Sequence, residues 1–166
     1  MVVETDDLFR RNISQHLRLQ KYRVFETADE GEAKRIVRRN KVDVVLLGLK
    51  GFKQNGLRLL KAIRMARPST EVILMTPSEC LALSIEGMKL GAFDDVLVPF
   101  DMRTLLDRIH AACLQRRDSK RERKSALKRR MDKVAAVLSS SVGDLNTDLE
   151  ILDGQGAGPP EGKKKA

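Results

Sequence analysis

A chain of 166 residues, with 32 Lys and Arg against 23 Asp and Glu and a formal net charge of +9, is long enough for one domain with a real core plus an appendage. Hydrophobic residues at 42% and charged residues at 33% exclude a wholly disordered chain. No apolar run approaches the roughly 18 residues of a membrane span, and the opening Met-Val-Val-Glu-Thr-Asp-Asp is too acidic and too short of apolar length for a signal peptide, so a cytoplasmic protein with no membrane association is expected.

Taken in order, five short apolar segments alternate with amphipathic ones. The apolar segments are residues 1–3, 24–25 with their flanks, 42–47, 72–75 and 96–98, each of strand length. Between them, residues 8–19 put Phe9, Ile13, Leu17 and Leu19 near helical spacing, with Asp6 or Asp7 placed to cap the first turn. Residues 29–40 gather Ala33, Ile36 and Val37 on one face and turn Lys34, Arg35, Arg38 and Arg39 outward. A third helix is predicted over 57–65 on Leu57, Leu60 and Ile63, stopped by Pro68. A fourth covers 81–90 and is closed by Gly91. The fifth, over 102–114, turns Leu105, Leu106, Ile109 and Cys113 inward. Strands alternating with helices predict a parallel sheet covered on both faces. Ligands of such sheets bind beyond the carboxyl ends of the strands, which selects residues 4–7, 48–50, 76–78 and 98–99.

Four segments carry a resemblance. They are Asp43-Val-Val-Leu-Leu followed by Gly48, Leu49 and then Gly56; Val72-Ile-Leu-Met-Thr76; Gly87-Met-Lys-Leu-Gly-Ala92; and Val98-Pro-Phe-Asp101. In this order and spacing, residues 1 to about 115 resemble the receiver domain of two-component response regulators. The resemblance implies an α/β, flavodoxin-like (βα)5 three-layer sandwich with a five-stranded parallel sheet. To it this chain adds a C-terminal basic helical extension.

The resemblance also implies a phosphorylation pocket: an aspartate at the end of strand 3 as acceptor, two acidic residues at strand 1 for Mg²⁺, Thr or Ser at strand 4, and Lys before the proline of strand 5. Carboxylate oxygens hold a hard cation there, while hydroxyl and ammonium groups bind phosphoryl oxygens. Laid on this sequence, the acceptor position is Gly48, the lysine position is Val98 and the acidic pair is Glu4 and Thr5, with Thr76 alone matching cleanly. A slip of two residues could instead bring Asp6 or Asp7 into the pocket. The aromatic switch position is Asp95, the usual loop proline is Phe52, and Pro77 follows Thr76. Phe52 is open to two readings, an anchor for a partner or a cover for the vacant pocket. The expectation is a pseudo-receiver that is not phosphorylated on strand 3, uses no cofactor, does not hold Mg²⁺ and acts through protein contacts in a phosphorelay. Its signalling face would be built from residues 80–90 and 102–114.

Beyond residue 115 the basic excess is concentrated: 13 basic against 8 acidic residues, compared with 19 against 15 before it. Arg116, Arg117, Lys120, Arg121, Arg123, Lys124, Lys128, Arg129 and Arg130 form a basic run that favours continuation of the fifth helix. Leu127, Met131, Val134 and Leu138 then follow at spacings of four, three and four, a seam of nearly two heptads. A solvated extension, a homodimer or partner seam, and a polyanion-binding or nucleic-acid-binding helix all fit this segment. No aromatic residue after Phe100 is available to stack on bases. Ser139-Ser-Ser and Gly143 predict the end of the helix near 141, with a disordered tail over 142–166 whose acidic strip at 144–153 folds back on the basic helix.

Neither His16 nor His110 lies at a strand end, and no Ser, His and acid set converges, so an enzyme is not expected. Cys80 and Cys113 lack metal-ligand spacing, and Cys113 reads as a small core residue.

Overall fold

A computed structural model of the chain describes the backbone of residues 1–153 and the side chains of residues 1–139. Five parallel strands, β1 (Val2–Val3), β2 (Glu26–Thr27), β3 (Val44–Gly48), β4 (Glu71–Pro77) and β5 (Asp94–Val98), lie in the order β2-β1-β3-β4-β5. The helices are α1 (Asp7–Leu19), α2 (Glu30–Arg39), α3 (Leu49–Phe52), α4 (Gln54–Ala66), α5 (Leu81–Lys89) and α6 (Met102–Asp153).

Strand pleating divides one apolar run between two cores. Val45 and Leu47 of β3, with Val72 and Leu74 of β4, point toward α2 and α4, where Ala33, Val37, Leu59, Leu60 and Ile63 meet them. Val44, Leu46, Ile73 and Met75 point the other way, onto Ile13 and Leu17 of α1 and Leu105, Ile109 and Ala112 of α6. Successive side chains of a strand emerge on opposite faces, so a continuous apolar run is what a sheet covered on both sides requires. Gly87 allows α5 to settle on this sheet, because a Cβ there would come 2.5 Å from Leu74 Cδ1. Gly91 ends that helix region with φ +92°, a backbone that glycine adopts without a Cβ penalty.

Three elements differ from the reading of the sequence. The second strand falls on Glu26 and Thr27, not on Val24 and Phe25, because β2 is a sheet edge and polar residues suffice there. Arg18 donates to Glu26, and Thr27 donates to Glu32 Oε2 at 2.8 Å. An additional short helix, α3, occupies the loop after β3. Leu49 and Phe52, three residues apart, both turn inward, Leu49 into the first core and Phe52 against it.

The last helix also runs past its predicted stop near 141, through Ser139–Ser141 and Gly143, to Asp153. Ser139 stays helical by donating its hydroxyl to the Ala135 carbonyl at 2.9 Å, the back-bonding that lets serine sit within a helix. An unbroken helix has no turn by which the strip at 144–153 could fold back on its own basic half. The side chains of that strip and all of residues 154–166, where the rest of the predicted disordered tail falls, lie outside the described residues. The chain divides into a compact unit, Met1–Arg121, and a second unit from Glu122 onward.

Arg116 belongs to the first unit by its bonds. Its Nε donates to the Ser69 carbonyl at 2.8 Å, its Nη1 pairs with Asp43 Oδ1, and its side chain is 15% exposed. One residue of α6 thereby ties together the loops that lead into β3 and β4. Asp43 is about half exposed, which limits the strength of the ion pair. Arg116→Ala is expected to cost roughly 1 kcal/mol, read as a lower denaturant midpoint at unchanged slope; an unchanged midpoint would assign Arg116 no structural role.

Candidate functional site

The strand order reverses between β1 and β3, so the crevice of this fold opens where their carboxyl ends diverge. Glu4 and Thr5 leave β1 here, Gly48 ends β3, and Thr76 and Val98 lie near the ends of β4 and β5.

Glu4 is 5% exposed and turns its carboxylate into the crevice. Its Oε1 accepts from the Asp6 backbone N–H at 2.9 Å and from the Thr5 hydroxyl at 3.1 Å. Its carbonyl accepts from Arg10 Nη1 at 2.8 Å. The second oxygen, Oε2, sits over Gly48: a Cβ added to that glycine would lie 1.8 Å from it and 2.7 Å from Glu4 Cδ. The same relation recurs one turn on, where a Cβ at Gly51 would lie 1.8 Å from Thr5 Oγ1. The two strand 1 residues therefore occupy the volume that side chains of the β3 loop would need. Glu4, Thr5 and Gly48 come together as a filled site. Gly51 was not singled out in the sequence, though its place in the same loop, three residues after Gly48, was a signal for it.

The slip that would bring Asp6 or Asp7 into the crevice does not occur. Asp6 accepts from the Phe9 N–H at 2.9 Å and caps α1. Asp7 is exposed and pairs with Arg10, whose hydrogen bond holds its carboxyl below the usual range. A Mg²⁺ site of the family's kind needs two or more free carboxylates at this point. Glu4 is the one carboxylate in place, with one oxygen already accepting two hydrogen bonds, so the residues present do not fit the ion. Among the described residues no cluster of His, Cys, Asp and Glu could hold a metal.

Thr76 is fully buried, and its hydroxyl has no hydrogen-bond partner among the described residues. Val98 is half-buried and packs with Phe100 against the second core, where the Phe100 ring lies 5.8 Å from that of Phe9. Phe52 is half-buried and packs against the first core. Asp95 accepts from the buried Ser84 hydroxyl at 2.7 Å, and Asp94 pairs with Arg108 at 2.9 Å. Both bonds cross the face formed by α5, β5 and α6. On that face Leu81, Ile85 and Met88 form an exposed stripe along α5, and Leu97 of the edge strand is also exposed.

The remaining candidates lie elsewhere. Cys80 is buried, and Cys113 is half-buried with its thiol pushed up chiefly by desolvation, the state of an inert core thiol. His16 donates from Nδ1 to the Asn12 carbonyl at 2.9 Å on an exposed face of α1. Arg116 is withdrawn from the proposed polyanion-binding run by its bonds to Asp43 and Ser69, because the position one turn after Cys113 still faces the loops that lead into β3 and β4. Arg117, Lys120, Arg121, Arg123, Lys124, Lys128, Arg129 and Arg130 are exposed. Leu127, Met131, Val134 and Leu138 are 54–63% exposed along one strip of the second unit.

The filled crevice has a measurable signature. Gly48→Ala is expected to cost about 1–3 kcal/mol, the range for overpacking. Combining it with Glu4→Ala is expected to cost less than the sum of the two single changes, by about 1 kcal/mol or more, as measured by a denaturant double-mutant cycle. Strict additivity would mean that the two groups do not share the volume.

The response regulator receiver domain family matches residues 1–110. The regulatory protein AtoC of Escherichia coli is 30% identical over 105 residues, covering 63% of this chain and 23% of that protein. The TorCAD operon transcriptional regulatory protein TorR of Escherichia coli is 28% identical over 109 residues, covering 66% and 47%. The chain thus spans less than half the length of these relatives. Among solved structures, a receiver domain protein from Clostridium thermocellum is 27% identical with a TM-score of 0.66, covering 70% of this chain and 94% of that one. A CheY-like receiver domain protein from Methanospirillum hungatei is 23% identical with a TM-score of 0.66, covering 71% and 94%, a likeness of fold. With a family match over most of the chain and a sheet in the same order as its helices demand, this protein belongs to the response regulator receiver domain family.

Proposed function

We propose that this chain is a pseudo-receiver in two-component signalling that is not phosphorylated on β3, is not an enzyme, and works in the cytoplasm by contact with another protein. The observation that carries this reading is the Glu4 carboxylate over Gly48. The acceptor is absent, its volume is filled, and the lysine position is a half-buried valine packed against the second core. Restoring one group would leave the others missing, because phosphoryl transfer depends on charge placed around the transferring group rather than on a nucleophile alone.

Support for a protein-docking role comes from the face of α5, β5 and α6. An apolar stripe at Leu81, Ile85 and Met88 is left to solvent on a face braced by the Ser84–Asp95 and Arg108–Asp94 bonds. Exposed apolar patches on a braced surface mark interaction sites. Asp95 stands where the resemblance puts the aromatic switch, and its bond to Ser84 gives this face one arrangement instead of two.

A second reading, a polyanion-binding regulator on a receiver scaffold, draws on the eight exposed basic residues between Arg117 and Arg130. Its signature is DNA retention in a gel shift that weakens steeply with salt and shows little sequence preference.

For the first reading, incubation with acetyl phosphate and Mg²⁺ followed by intact mass is expected to give no phosphoryl adduct for the native chain or for Gly48→Asp. A Mg²⁺-dependent, carboxylate-linked adduct on either would overturn it. Recovery of a protein partner is expected to be lost in Ile85→Asp and indifferent to the phosphodonor.

A further inference from the structure

The second unit, from Glu122 onward, carries a pattern the receiver fold does not need. Along α6 the apolar strip of Leu127, Met131, Val134 and Leu138 continues in the sequence as Val142, Leu145, Leu149 and Leu152, with spacings of 4, 3, 4, 4, 3, 4 and 3. This is a two-heptad pattern joined to a second by one four-residue stutter, a sequence feature of helices that pack along their whole length. The four members with described side chains are more than half exposed, so the seam has no cover within its own chain there. A single helix with such a strip gains its stability from whatever buries it.

Charge says what that is. Residues 122–133 hold six basic and two acidic side chains, a net of +4, whereas 134–153 hold four acidic and no basic ones, a net of −4. Because the helix is unbroken to Asp153, the acidic half cannot reach the basic half of the same chain. A second copy in parallel would set +4 against +4. A second copy in antiparallel orientation sets each half against its opposite.

The seam is also nearly symmetric about its own centre. In one antiparallel register Leu127 meets Leu152, Met131 meets Leu149, Val134 meets Leu145 and Leu138 meets Val142. The same register places Arg130 opposite Asp148 and Lys128 opposite Asp153, at the positions that flank the seam. Arg129, Asp132 and Glu150 fall on the far side of the helical repeat and form no pair across it. An isologous interface of this kind is closed and self-complementary.

We infer that the segment from Glu122 to Asp153 pairs with the same segment of a second chain as an antiparallel two-helix coiled coil, making the protein a homodimer. This does not depend on whether the β3 pocket can be phosphorylated. The basic run is then the electrostatic partner of the acidic run.

Sedimentation equilibrium of the full chain is the test, with the cooperative melt of each variant followed by circular dichroism to verify that the receiver remains folded. The native chain is expected to be a dimer, and Leu138→Arg a folded monomer. Lys128→Glu with Arg130→Glu, and separately Asp148→Arg with Asp153→Arg, are each expected to weaken the dimer about 10-fold. All four changes in one chain are expected to recover most of that loss, because in antiparallel pairing the exchanged charges meet again. In a parallel pair residues 130 and 148 would lie roughly 27 Å apart along the helices, so the combined variant would recover nothing. A monomeric native chain, a dimer that survives Leu138→Arg, or a combined variant no tighter than its parts would each overturn the proposal. So would a monomer that shifts duplex DNA in proportion to its exposed basic residues.

Discussion

The carboxylate of Glu4 and any side chain at position 48 compete for one volume. Glu4 reaches that volume because it is one methylene longer than an aspartate and leaves the end of β1 beside β3, at the point where the sheet order turns. It stays there because the N–H of Asp6 and the hydroxyl of Thr5 hold one oxygen, while the other rests over a residue with no Cβ. Gly51 accommodates Thr5 in the same way. Much of the crevice follows from this single packing relation. With a second side chain excluded, no carboxylate cluster forms, a divalent cation has too few ligands, and Val98 in place of a lysine leaves no unpaired charge behind.

The rest of the receiver is conserved in its physics while the site is changed. The two cores, one on each face of β3 and β4, are built by the pleat alone and are indifferent to what happens at the strand ends. This separation allows a fold to keep its packing while its chemistry is replaced. Side-chain contacts brace the framework around the strand ends. Ser84 holds Asp95, Arg108 holds Asp94, and Phe52 packs inward beside α3. The apolar stripe on α5 thus lies on a face tied by two side-chain bonds.

The extension of α6 poses a different problem from the receiver. Within the first unit its helix is covered by the sheet as far as Ala112, and Arg116 still bonds to loops of that unit. Among the described side chains from Glu122 onward, Leu127, Met131, Val134 and Leu138 recur at helical spacing and are more than half exposed. A basic collar followed by an acidic half makes such a helix self-complementary only when it is turned end for end.

Composition and periodicity alone determined the alternation of strands and helices, the parallel sheet and the place of the crevice. Each of these depends on residue type and spacing within a short window, where apolar periodicity and glycine or proline punctuation suffice. The strand at Glu26–Thr27 and the short α3 were less legible, since an edge strand needs little hydrophobicity and two inward residues make only one helical turn. Which acidic residue fills the crevice, the inward packing of Phe52, the pairing of Asp95 with Ser84 and the withdrawal of Arg116 from the basic run were decided only in three dimensions. Each depends on groups distant in the chain, as Ser84 is from Asp95 and Arg116 from Ser69 and Asp43, or on a volume shared between two strand ends, and local sequence carries no record of which distant neighbour will arrive.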